Sequence, residues 1–325
     1  MAVRLFNEQD WENLSEENRE LYEDYMLNLE AEGKAKKTRD QYGYDLRAFF
    51  CYLVREKKNK YILDLKRKEF RNFFLILKRS EVSNARINRF QSSVRNLLNY
   101  ACISEDYDYD INQMQYLKGL QKEPIREIVF LTDRQINILI DELLKRKKYQ
   151  KALWVSLAYE SGGRRNEIHQ IKKDGFLERN QTETVIGKRG KKFKLIYFNR
   201  SKIIYKLWMK QRGEDDIPSL WTTGKGKNKR PMTYTTMYSF VDELREILKE
   251  RTGKDVPLNE HSFRHSCLTN FSDGTHHVLE EVGKDRLNLQ MLKILAHHSD
   301  ISTTQGYLRD DSEEQLANAL GIELK

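Results

Sequence analysis

The chain has 325 residues, room for two domains, and its 39% hydrophobic, 33% charged and 11% aromatic content excludes a disordered polypeptide. Lys and Arg number 58 against 49 Asp and Glu, a formal charge of +9 that suits an anionic partner such as nucleic acid or serves solubility alone. Three scattered cysteines (Cys51, Cys102, Cys267) exclude a disulfide framework, and without an apolar signal region or a run of roughly 18 apolar residues the expectation is a soluble, cytoplasmic protein with no membrane partner.

Residues 1–15 read as an N-terminal extension. A first helix is expected after Ser15, with Glu16 and Glu17 in the turn where the dipole favours acids. Leu21, Tyr25 and Leu29 share one face, and Gly33 ends it. A second helix is expected from Thr38 as its cap, with Tyr42, Leu46, Phe49, Phe50 and Leu53 at helical spacing. Phe70, Phe73, Phe74 and Leu77 mark a third. The run from Asn84 to Tyr100 marks a fourth, with Ile87, Phe90, Val94, Leu97 and Leu98 inward and Arg86, Arg89 and Arg95 outward. This gives a four-helix domain over 16–105. Its interleaved basic residues suit a DNA clamp, and a plain amphipathic bundle with solvated charges fits equally well.

The polar stretch 106–128, which contains Pro124, reads as a linker to a second domain over 129–325. There Thr132 caps a helix with Ile136, Leu139, Ile140, Leu143 and Leu144 inward. An apolar helix over Leu153–Tyr159 follows and stops at Ser161-Gly162-Gly163. Thr182–Ile186 and Phe193–Phe198 flank Gly187-Lys188-Arg189-Gly190 as a hairpin. From Thr233 onward the pattern is helical again. The expected class is mainly α: a helical N-terminal domain and a mixed α/β second domain with one small antiparallel sheet.

Three short motifs carry candidate chemistry. In Ser161-Gly162-Gly163-Arg164-Arg165-Asn166-Glu167, an arginine stands near a helix start, where the dipole prefers anions. A bound phosphate resolves that oddity, and a surface pair with Glu167 explains it as well. In His261-Ser262-Phe263-Arg264-His265, His261 and Arg264 share a face, as a site or as a capping pair. In the third, His297 and His298 end an apolar helix and Tyr307 follows nine residues after His298, which also suits a buried tyrosine bonded to a histidine.

Taken in order, the set resembles the tyrosine recombinase (phage integrase) family, most closely its Xer-like members. Arg164 and Glu167 match the family's Thr-Gly-x-Arg-x-x-Glu, and Lys188 and Lys191 its Gly-Lys-x-x-Lys β-turn. His261 to His265 match His-x-x-Arg-His, and Leu295 through Tyr307 match Leu-Gly-His-Ser-x-x-x-Thr-Thr-x-x-Tyr. Thr38 to Phe49 and the helix at Asn84 look like the family's SAM-like core-binding domain, so the likeness runs from about 16 to 320. Departures are Ala296-His297 in place of Leu-Gly, which makes His297 a second candidate beside His298, and Gly163 in place of a larger apolar residue, which would loosen the turn of Arg164. Lys191 and Lys192 compete with Lys188 for the lysine role.

The resemblance implies a site-specific recombinase that uses no cofactor and no metal. Tyr307 would form a 3′-phosphotyrosine, with His261 as general base and Lys188 as general acid. Arg164 and Arg264 would clamp the phosphate, with His298 donating a further bond. It implies double-stranded DNA with a specific core site as partner and a homotetramer in the synaptic complex, with room for an accessory DNA-bending protein. Arg39, Arg86, Arg89, Lys191, Lys192, Lys227 and Arg230 are candidate DNA contacts, and Leu316, Leu320 and Ile322 could dock the tail in cis or in trans. The alternatives are a type IB topoisomerase-like relaxation enzyme and a DNA-binding regulator that no longer cuts.

Overall fold

The computed structural model describes residues 5–121, 128–177, 180–298, 300–305 and 308. Contacts divide the chain into two units, Met1–Glu127 and Ile128–Lys325.

The first unit is helical: α1 (Glu8–Glu12), α2 (Glu16–Ala31), α3 (Lys36–Glu56), α4 (Arg67–Arg79) and α5 (Asn84–Ile103). The short α1 was not foreseen; Asn7 caps it by accepting from the amides of Gln9 and Asp10. α3 begins two residues before Thr38, because extended Ala35 is its boundary residue and Thr38 lies inside the first turn. The apolar faces meet in an aromatic core, where Phe49 and Phe73 pack edge to face with centroids 4.8 Å apart.

One charge lies in this core. Asp45 on α3 is fully buried and accepts from Arg89 at 2.9 and 3.0 Å, from Ser93 at 3.0 Å and from Gln41 at 3.3 Å. Arg89 thus faces outward, as expected, while its guanidinium is held by a buried acid. Arg95 departs from expectation: it donates to the carbonyls of Met114 and Leu117, fastening the stretch after α5 back onto that helix.

The second unit starts with α6 (Asp133–Lys145), where Thr132 and Gln135 cap reciprocally. α7 (Tyr149–Ser161) is buried at every position from Ala152 to Ser161, as befits a central helix, and left-handed Gly162 (φ +59) ends it. After α8 (Arg165–His169) come β1 (Phe176–Leu177), β2 (Gln181–Ile186) and β3 (Lys192–Ile196), antiparallel in that order, with Ile186 opposite Lys192. α9 (Asn199–Arg212) follows. A second small sheet pairs β4 (Thr222–Thr223) with β5 (Arg230–Pro231) where only one sheet was expected, its strands being too short to show an alternating pattern. α10 (Phe240–Thr252), α11 (Glu260–Asp273), α12 (Val278–Val282), α13 (Leu289–Leu295) and α14 (Ile301–Gln305) complete the described chain. Among the described residues no helix is long and apolar enough to cross a membrane.

Replacing Asp45 with Ala should cost about 1–3 kcal/mol, because Ser93 and Arg89 lose a buried acceptor while Arg89 can recover some hydration. Urea unfolding of the first unit, followed by circular dichroism, measures it.

Candidate functional site

Gly162 turns the chain out of α7, and Arg164 follows as the boundary residue of α8. Glu167, buried one turn later, accepts from the Arg164 amide at 2.7 Å and from its guanidinium at 2.9 Å. The Arg–Glu pair is real, and the remaining guanidinium edge opens into a cleft. At Gly163 the turn has no room to spare, a Cβ meeting Ser161 Oγ at 2.9 Å. A Cβ there would stand 3.1 Å from both Leu195 methyls, so Leu195 on β3 already fills the space.

Arg264 on α11 is 1% exposed. It donates to the Gly162 carbonyl at 2.5 Å and to the Ala296 carbonyl at 2.5 Å, and lies 2.6 Å from His298 Nε2. A guanidinium can only donate, so Nε2 accepts and the His298 proton sits on Nδ1, 2.9 Å from Thr304 Oγ1. In this arrangement His298 accepts from Arg264, and a bond donated from Nε2 to a phosphate requires that contact to be exchanged. Desolvation first, then the charges of Arg264 and Arg164, lowers the His298 pKa to about 3.

His297 takes a left-handed conformation (φ +53), which turns its ring away from Arg264 onto Phe193 of β3, with centroids 3.7 Å apart. Desolvation lowers its pKa to about 4, the cations Arg264, Lys191 and Arg164 adding to it and Glu167 opposing. The two adjacent histidines therefore have different surroundings, one on the buried arginine and one on the hairpin.

The hairpin tip is a 3-10 turn over Lys188–Gly190, with Arg189 (φ +62) and Gly190 (φ +74) left-handed. Gly187 is needed for another reason: a Cβ there would lie 2.5 Å from the Phe193 ring and 3.3 Å from Glu167. Lys188, Arg189 and Lys191 join Arg164, Phe193, His297, His298, Asp300 and Thr303 around a cleft of about 320 Å³. Lys191 also reaches the His297 carbonyl at 3.4 Å. His261, at the first turn of α11, is exposed to solvent at its edge. Desolvation and the cations Arg264, Arg164 and Arg165 still lower its pKa, against Glu260.

Tyr307 lies outside the described residues, as do Leu316, Leu320 and Ile322. The structure thus gathers Arg164, Lys188, Arg264 and His298 around one cleft or bonded to its lining, with His261 close enough to feel both arginines. Lys192, Lys227 and Arg230 are exposed and outside the cleft lining, the last two on the β4–β5 hairpin. In the first unit Arg86 is exposed, while Arg39 pairs with Glu30 at 2.6 Å and Arg89 with Asp45. Sequence reasoning missed Thr304 as the partner of His298; its signal was its place in the Thr303-Thr304 pair of the last motif. Among the described residues no group of three or more His, Cys, Asp or Glu is arranged to hold a metal.

Residues 129–314 match the Phage integrase family, and residues 22–105 match the Phage integrase, N-terminal SAM-like domain. A SPbeta prophage-derived recombinase-like protein, YomM, of Bacillus subtilis (strain 168) is 29% identical over 97% of this chain and 95% of its own length. Tyrosine recombinase XerA of Pyrococcus furiosus is 26% identical over 89% of each chain. The fold is shared with a lambda integrase tetramer bound to a Holliday junction (TM-score 0.68, 13% identity, 90% of this chain and 77% of that one). It is shared also with XerH site-specific recombinase bound to a palindromic difH substrate (TM-score 0.66, 17% identity, 90% and 81%).

The two depressed histidines make stability depend on pH. In the unfolded chain each ring takes up a proton near pH 6.5, which the folded site refuses until about pH 3 or 4. Their contribution is therefore fully present above about pH 6.5 and declines as the pH falls toward 4. Urea unfolding across that range should show a slope that His298→Gln flattens.

Proposed function

The chain belongs to the phage integrase family of tyrosine recombinases, and from that premise we propose that it cuts and rejoins DNA at a specific site through a 3′-phosphotyrosine on Tyr307. The observation that carries this reading is the convergence of Arg164, Lys188 and the Arg264–His298 pair on one cleft, where Asp300 is the one carboxylate among the described lining residues. A phosphodiester is already an anion, and attack concentrates further charge on its non-bridging oxygens. Fixed cations with few mobile waters stabilise that charge more than the ground state.

In the reading proposed, the Tyr307 oxygen attacks phosphorus and its proton passes to His261. Desolvation and the neighbouring arginines favour the neutral form of that imidazole, the form that can accept a proton. Arg164 binds the non-bridging oxygens, and Arg264 joins it once the incoming phosphate displaces the contact between Arg264 and His298. The 5′-oxygen leaves with a proton from Lys188, whose place on an exposed turn lets the ammonium reach it. The phosphotyrosine keeps the energy of the broken ester. A 5′-hydroxyl from a partner duplex reverses the same steps, returning protons to Lys188 and Tyr307, so rejoining requires no nucleotide. Strand exchange needs four sites held together, hence a homotetramer on two duplexes. His298 can donate to the phosphate once its Nε2 is protonated, which an incoming anion favours against the cations that now oppose it.

DNA contacts from the first unit fall to Arg39, Arg86 and Arg89, and from the second to Lys191, Lys192, Lys227 and Arg230. Such contacts release counterions, so binding should weaken steeply with salt.

A nicked suicide duplex from the DNA flanking the coding sequence should trap a protein–DNA adduct stable in SDS. Tyr307→Phe should abolish it, Arg264→Ala should reduce its rate by about 100-fold or more, and EDTA should leave the wild-type rate unchanged. Recombinant product from the Tyr307→Phe protein would overturn the proposal.

A further inference from the structure

Arg165 stands beside Arg164 in sequence and does not line the cleft. Its guanidinium lies 4.0 Å from the centroid of the Tyr234 ring and 5.1 Å from that of Tyr238. Its Nη2 is 3.5 Å from Glu260, and its side chain is 11% exposed. Nε and Nη1 are buried with no hydrogen-bond partner among the described residues. Burying two unsatisfied donors is costly, and only part of that is offset by the aromatic faces. A lysine in this slot would keep the charge and avoid the planar N–H groups. The flat, forked cation is therefore serving geometry that a point charge cannot supply.

Glu260 is the first residue of α11, directly before His261, so one side chain joins the two segments that carry the site's separate charges. On one end is the backbone of Arg164. On the other is the helix start that holds His261 and, a turn later, Arg264. The ring contacts fix the plane of the guanidinium, and His169 supports Tyr234 edge-on at 6.0 Å while its Nε2 sits 2.8 Å from the Met232 carbonyl. We propose that Arg165 is a positioning residue that, through Tyr234, Tyr238 and Glu260, fixes where His261 stands relative to Arg164. This rests on the recombinase reading for the meaning of His261, and not for the coupling itself.

Among the described residues the charged groups that act on His261 are chiefly Glu260, Arg264, Arg164 and Arg165, so disturbing the link moves its titration in a definite sense. The full-length protein labelled with 13C at histidine Cε1 gives the readout by NMR, with His261→Gln assigning the resonance. Arg165→Lys keeps the charge and loses the stacked fork. It should release Glu260 toward the imidazole and raise the His261 titration by about half a pH unit or more. Arg165→Ala should do the same, with the lost cation adding to the rise. Glu260→Gln should lower it. On the suicide duplex, the pH profile of adduct formation for Arg165→Lys should move with the His261 titration. If Arg165→Lys and Glu260→Gln both leave titration and profile as in the wild type, the positioning role is wrong, whatever they do to the melting temperature. Should Arg165→Ala fail to fold, those two variants carry the test. A wild-type protein that traps no DNA would instead count against the recombinase reading, and the NMR titrations would still decide the coupling.

Discussion

A buried guanidinium is among the hardest groups to accommodate in a protein interior, and the second unit is organised around one. Arg264 must spend its donors inside the fold, and its neighbours offer the Gly162 carbonyl, the Ala296 carbonyl and the His298 ring. These acceptors come from the end of α7 and from the turn after α13 that holds Ala296 and His298, while Arg264 itself stands on α11. Three stretches far apart in sequence are thereby drawn to one point. An uncompensated buried cation would destabilise the whole unit, so the constraint that assembles the site is also a condition of folding.

The charge balance around it follows from the same requirement. Cations gathered around one cleft repel one another. Glu167 answers Arg164, Glu260 answers Arg165, and the two histidines stay neutral in preference to adding charge. The first unit shows a second version of this arrangement, with Asp45 buried beneath Arg89. In each case a carboxylate packed beside the cation holds it in place. Substituting such a cation disturbs packing as well as any contact it makes with DNA.

Much of this was legible in the sequence, for identifiable reasons. α2, α4, α5 and α6 carry continuous apolar stripes, α2 begins after Ser15 and Thr132 caps α6 as read, and α7 ends on a glycine pair. The motif order gave the cleft's principal side chains and the family. α9 escaped notice because its buried positions are Ser201, Ile204, Trp208 and Arg212, which make no apolar stripe; Arg212 is buried only because Asp215 and nearby carbonyls receive its donors. The two-residue strands β4 and β5 are shorter than any readable alternation. Arg165 was invisible for a deeper reason: its partners lie about 70 and 95 positions away, and a cation resting on aromatic rings leaves no spacing in the chain.

Two of the acceptors that hold Arg264 are main-chain oxygens. A carbonyl is supplied by whichever amino acid occupies the position, so the lock reads the path of the polypeptide and is indifferent to the lettering along it. This accounts for a molecule in which Ala296 stands where the family resemblance leads one to expect leucine, and which still closes around the arginine. Tolerance belongs to the residues lending oxygens. The residue receiving them has none, because no other side chain offers the same fan of donors.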